Sequence, residues 1–211
     1  EVGSLQDDAL ELFSELLNGG NTSVQDTLLQ ELKLNDGESR FLSHLHQRLG
    51  DCFRGMREAC TRSQFVGSDL TPEAKLHAEN AAQTVRFMQL MCEGHHTDFQ
   101  NFLREQLGRP KQINLVQQSV DVLCFLSDAV GVAKFRSCQN DLALQLVRFL
   151  SEACEGPCAL NQELISHSNA ISAINEIVPS KRRHNKAMRP MRPGELDLRA
   201  EASILLQALL E

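Results

Sequence analysis

Two glutamates hold positions from which they could bind a hard cation. Glu93 stands directly before Gly94, at the expected end of a helix. Glu152 stands in the last turn of another, four residues before the Gly156-Pro157 break. The final carbonyls of a helix lack internal partners and carry the negative end of its dipole. A carboxylate there is mildly unfavourable unless a cation is near. Two such ends brought together would present carboxylates and free carbonyls, an oxygen set suited to Ca²⁺. Read alone, the same residues also fit two solvated last-turn glutamates, since no EF-hand loop accompanies them.

The other metal-ligand types nearby are Cys92, His95, His96, Cys154 and Cys158. Their spacings, Cys92-x-x-His95 and Cys154-x-x-x-Cys158, match no common zinc module, and buried thiols with partly exposed histidines account for them better. There is no P-loop, dinucleotide fingerprint, HExxH or nucleophile elbow. Ser151 and Ser203 lie in helical patterns with no base close in sequence. The chain is therefore not expected to be an enzyme. The basic run from Lys181 to Arg192 could meet phosphates or an acidic partner, but it reads better as a solvated loop.

The elements that must position these residues are helices. Leu, Ala, Gln and Glu are abundant, and all are good helix formers; β-branched runs are missing. Leu5, Ala9, Leu12, Phe13 and Leu16 recur at helical spacing, and Gly19-Gly20 stops that helix. Asn21 or Thr22 can cap the next, which carries Val24, Leu28 and Leu32. A third carries Phe41, Leu45, Leu49 and Phe53. The pattern fades over 61–72, read as a loop, and resumes from Pro72 to Cys92 with Ala78, Ala81, Val85 and Met88 in register. Asp98 can cap a helix with Phe99, Phe102 and Leu103, and Asn114 one with Val116, Val120, Leu123 and Val130. Leu142 to Cys154 follows, then one kinked or two short helices from Asn161 to Val178, a basic loop over 181–193, and a last helix to Leu210.

These elements predict an all-α fold. It is an armadillo-like stack of antiparallel amphipathic helices, an α-solenoid segment forming one domain over 1–211. With 211 residues it can bury a sizeable core. The net charge of −7 argues against nucleic-acid partners, and no apolar stretch is long enough to span a bilayer. Glu1 to Leu17 is amphipathic and acidic, unlike a signal peptide. Seven irregularly spaced cysteines read as reduced thiols of a cytosolic protein. Both ends fall within helical patterns, as expected of a piece of something longer.

Several strings resemble the inositol trisphosphate receptor and ryanodine receptor superfamily. The stretch Gly19-Gly20-Asn21-Thr22-Ser23-Val24-Gln25 is similar to its GGN-x-x-VQ turn. Phe87-Met88-Gln89-Leu90-Met91-Cys92-Glu93-Gly94-His95, followed by Asp98-Phe99-Gln100-Asn101-Phe102-Leu103-Arg104, is similar to its FLQLLCEGH and DFQNFLR strings. Phe149-Leu150-Ser151-Glu152, Gly156-Pro157-Cys158 and Asn161-Gln162 are similar to its LTE and QGPC-x-x-NQ strings. Order and spacing match the domain that follows the homology region shared by both receptors. Glu93-Gly94-His95 and the Phe of Asp98-Phe99-Gln100 lean towards ryanodine receptors, while Gly19-Gly20-Asn21-Thr22 and the short stretch from Ser119 to Gly156 lean towards inositol trisphosphate receptors, which are favoured.

The resemblance implies a cytosolic regulatory segment of a ligand-gated, homotetrameric calcium-release channel of the endoplasmic reticulum membrane. It implies that Glu93 and Glu152 supply carboxylates of the activating calcium site, with His95 and Glu155 beside the ion. A backbone carbonyl from the receptor's C-terminal cytosolic domain would complete that site. Glu155 departs from the usual Gln of the string. The competing class is a helical protein-interaction scaffold with no metal site.

Overall fold

The computed structural model describes residues 2–66, 70–130, 137–178 and 194–211, and every regular element among them is helical. The helices are α1 (Val2–Leu17), α2 (Thr22–Asn35), α3 (Arg40–Val66), α4 (Pro72–Cys92) and α5 (Thr97–Arg104). Then come α6 (Leu115–Phe125), which passes into a π-helical turn (Leu126–Val130), α7 (Ser137–Cys154), α8 (Ala159–Ser166), α9 (Ala170–Ile177) and α10 (Glu195–Ala208).

The helix starts follow from local chemistry. The side chains of Asn21, Thr71 and Asn114 accept from the N–H three residues on, at Val24, Ala74 and Gln117, and so satisfy donors that a first turn leaves free. Pro72 occupies the first turn of α4, where its missing N–H costs nothing. At α5 the cap is His96, not the expected Asp98: the His96 Nδ1 accepts from the Phe99 N–H at 3.2 Å. Because that nitrogen accepts, the ring carries its proton on Nε2, which donates to Asp26 at 3.1 Å.

Two other expectations are corrected. α3 runs through 61–66, where the loop over 61–72 was expected to begin. Thr61 to Val66 is polar but contains no breaker, and Gly67 is the first residue that would stop a helix. Among the described side chains of α1, Leu10 and Leu17 are buried, while Leu12, Phe13 and Leu16 are exposed. The helix has apolar residues on two faces, and α4 covers the one that carries Leu10 and Leu17. The basic loop over 181–193 lies outside the described residues.

Pairs of contacts fix how the helices run. α3 and α4 are antiparallel: Phe41 meets Phe87, Arg48 donates to Thr84, and Gly55 lies beside His77. α4 and α7 are parallel. Lys75 and Glu79 share a cavity with Ser137 and Asp141 near their starts, and at their ends the charge of Glu93 is near enough to act on the Glu152 carboxyl. α7 and α10 are also parallel, since Asn140 faces Gly194 and Arg148 pairs with Glu201 at 2.9 Å. α3 and α6 are parallel too, with Gln118 donating to the His46 carbonyl and Phe125 packed on Phe53.

One continuous core joins these helices. Val85, Met88 and Cys92 of α4 and Leu142, Leu146 and Phe149 of α7 are all fully buried in it. Burying apolar side chains of this size contributes about 1.5–3 kcal/mol each, so the α4–α7 seam is a rigid base for the two helix ends it carries.

Candidate functional site

The ends of α4 and α7 emerge together. Glu93 follows the last residue of α4, and Gly94 turns the chain with φ +76°. His95 also has a left-handed φ, +63°, a strained conformation for a residue with a Cβ. Gly156 ends α7 with φ +105°, and a Cβ there would stand 2.8 Å from the Cβ of His95. Glycine is needed at 156 for both reasons, and the two turns interlock through that contact.

Glu152, Glu155 and Glu93 form an acidic cluster. Partial burial pushes the Glu152 carboxyl up to about 7, and the charges of Glu155, Glu93 and Glu201 push it the same way. The Gly94 N–H faces that carboxylate and opposes the shift. The Glu93 Oε2 is buried and has no hydrogen-bond partner among the described residues. Among the described residues, His95 Nδ1 lies 3.8 Å from the Glu155 carboxylate on an exposed ring, while Arg148 is engaged by Glu201 at 2.9 Å. An orphaned carboxylate oxygen beside a carboxyl that resists ionisation marks a cation deficit, and hard oxygen donors of this kind fit Ca²⁺.

The backbone at both ends is closed by buried amide side chains. Gln25 of α2 donates through Nε2 to the carbonyls of Leu90 (3.0 Å), Met91 (3.3 Å) and Glu93 (2.8 Å). Gln100 of α5 donates to those of Glu152 (2.6 Å) and Glu155 (2.8 Å). Asn161 of α8 donates to Ala153 (2.7 Å) and Gln100 (3.2 Å), and its own oxygen accepts from Arg104 at 2.7 Å. These amides are the polar residues of the recognisable strings, and sequence reading assigned them no role.

The thiols behave as packing groups. Burial pushes Cys154 up to about 12 and Cys92 well above the usual thiol range, as expected of thiols packed in a core. Among the described residues no three or more His, Cys, Asp or Glu side chains gather closely enough to hold a metal ion. Glu93 and Glu152 are therefore at most part of a cation site.

Fold and site together define a class: an all-helical segment in which two helix C-termini emerge near enough for the charge of Glu93 to act on Glu152. Residues 75–178 match the family described as RyR and IP3R Homology associated. A curated relative, the inositol 1,4,5-trisphosphate receptor itr-1 of Caenorhabditis elegans, is 32% identical over 138 residues; the match covers 60% of this chain and 4% of that relative. Both matches support the inositol trisphosphate receptor and ryanodine receptor superfamily, with the inositol trisphosphate receptor branch favoured.

Proposed function

We propose that this chain is a cytosolic regulatory segment of an intracellular, ligand-gated calcium-release channel, and that Glu93 and Glu152 contribute to its activating calcium site. The observation that carries the reading is the acidic cluster where α4 and α7 end, in which the Glu93 Oε2 has no hydrogen-bond partner among the described residues. A bound calcium ion would supply the positive charge that this cluster lacks. Glu93 and Glu152 would hold it, and Glu155 and His95 would stand beside it. A backbone carbonyl of the receptor's C-terminal cytosolic domain would complete the oxygen set. Glutamates that share a ligand with another domain favour the arrangement that joins the two, so occupancy biases gating.

The helix directions support an armadillo-like α-solenoid. In a stack of hairpins, partners within a hairpin are antiparallel and equivalent helices of successive hairpins are parallel. α3 with α4, and then α4 with α7 and α10, follow that rule. On this reading the segment belongs to a homotetrameric channel of the endoplasmic reticulum membrane. It lies on the cytoplasmic face as one domain over 1–211, and no helix among the described residues is long and apolar enough to cross a membrane. A helical protein-interaction scaffold without a metal remains the competing account. A cleft of about 760 Å³ lined partly by Phe102, Leu107 and Leu160 is the feature that favours it.

The test is single-channel open probability against cytosolic calcium, in the full-length channel at saturating trigger ligand. Glu152→Gln is expected to raise the activating concentration by about 5–150-fold, as a coupling of about 1–3 kcal/mol would, while trigger-ligand affinity stays nearly unchanged. An unchanged curve for both Glu152→Gln and Glu93→Gln would leave only the scaffold.

A further inference from the structure

The last carbonyls of a helix are commonly satisfied by Lys, Arg or a glycine turn. At the ends of α4 and α7 the side chains reaching these carbonyls are neutral amides, each buried and each from a helix that carries neither glutamate. Gln25 is 1% exposed, Gln100 and Asn161 are 0% exposed. The chemical difference matters here. A Lys in the place of Gln100 would also donate to the carbonyls of Glu152 and Glu155, but its full positive charge would offset the carboxylates beside it. An amide donates two N–H bonds and adds no net charge.

Gln100 shows the arrangement most sharply. Its Nε2 spans two carbonyls three residues apart in sequence, at 2.6 and 2.8 Å. Its Oε1 is buried and meets no donor among the described residues. The amide is thus oriented by the carbonyls alone, and reversing it would set oxygen against two carbonyl oxygens. The bonds fix the backbone from which both the Glu152 and the Glu155 side chains project. Gln25 does the same for the backbone of Glu93.

We propose that Gln100 and Gln25 are positioning residues for the cation site: they hold the two glutamate-bearing helix ends in register while leaving the carboxylate charge uncompensated. The proposal rests on the calcium reading above. It also ties the site to α2 and α5, so that a displacement of either helix moves a glutamate backbone.

The experiment uses the full-length channel, with calcium activation as the readout and trigger-ligand binding as the check of assembly. Gln100→Met keeps the volume and removes the donors; Gln100→Lys restores a donor and adds charge. Gln25→Met and Gln25→Lys repeat the pair at the other end, in case a substitution at 100 prevents assembly. Each assembled variant, Lys as well as Met, is expected to raise the activating calcium concentration about 5-fold or more. A purely structural cap would instead be rescued by Lys. Recovery of the normal midpoint in the Lys variants, an unchanged midpoint in the Met variants, or loss of assembly in all four overturns the proposal. Glu152→Gln is run alongside. If it shifts the midpoint and the glutamine variants do not, the positioning role fails alone; if it also has no effect, the calcium reading fails first.

Discussion

The Gln100 Nε2 lies 2.6 Å from the carbonyl oxygen of Glu152, across 52 residues of sequence. This bond joins two of the strings by which the superfamily is recognised. A third joins through Asn161, which bonds both the Gln100 carbonyl and the Ala153 carbonyl. A fourth joins through Gln25 at the end of α4. The strings keep company because their polar residues close the same two helix ends.

Folding should not require a metal. The core is continuous and apolar, so stacked apolar faces hold the helices together. The chain expressed alone is expected to keep its far-ultraviolet helical signal after treatment with a strong chelator. Loss of most of that signal would indicate a structural zinc site.

Stability should fall with rising pH because of Glu152. Its carboxyl, ordinarily near 4.5, is pushed up to about 7 in the folded chain by burial and by Glu155, Glu93 and Glu201. Between those values the folded state holds a proton that the unfolded state has released. The contribution is therefore fully present below about 4.5 and is lost as pH rises through about 7. Denaturant unfolding of the wild type and of Glu152→Gln at several pH values checks this. The difference between them should change over that window and level off above it; a difference independent of pH contradicts the assignment.

Gly156→Ala should destabilise the site by about 1–3 kcal/mol, the usual cost of forcing a side chain into a disfavoured backbone region. The position has φ +105°, and the new Cβ would also press on His95, itself held at φ +63°. Denaturant unfolding of that variant measures the effect. A neutral result would mean that the two turns are not interlocked.

How much of this could be read from sequence depends on how local each cause is. The caps at Asn21 and Asn114 act over three residues and were legible, as were the breaks at Gly19-Gly20 and Gly156-Pro157. Glu93 and Glu152 drew notice because a carboxylate at a helix end is locally odd. Gln25 and Gln100 carry no local signature, since their partners lie 52 to 68 residues away. His96 displaced Asp98 as the cap of α5 because Asp26, on another helix, binds its far nitrogen. The spacing of Ala9, Leu12 and Leu16 does not tell which face of α1 packs, because both faces carry apolar residues and α4 covers the one with Leu10 and Leu17. Expecting antiparallel neighbours fits α3 and α4, while the parallel run of α4, α7 and α10 arises from non-consecutive pairing that periodicity cannot express.

The measurement closest to the central claim is an experimental structure of the full-length channel with and without calcium. The account predicts calcium-dependent density within about 2.3–2.6 Å of a carboxylate oxygen of both Glu93 and Glu152, the usual range for this ion, with a further oxygen from another domain. Calcium-dependent density only elsewhere, or a Lys or Arg of another domain seated between the two carboxylates, would contradict it.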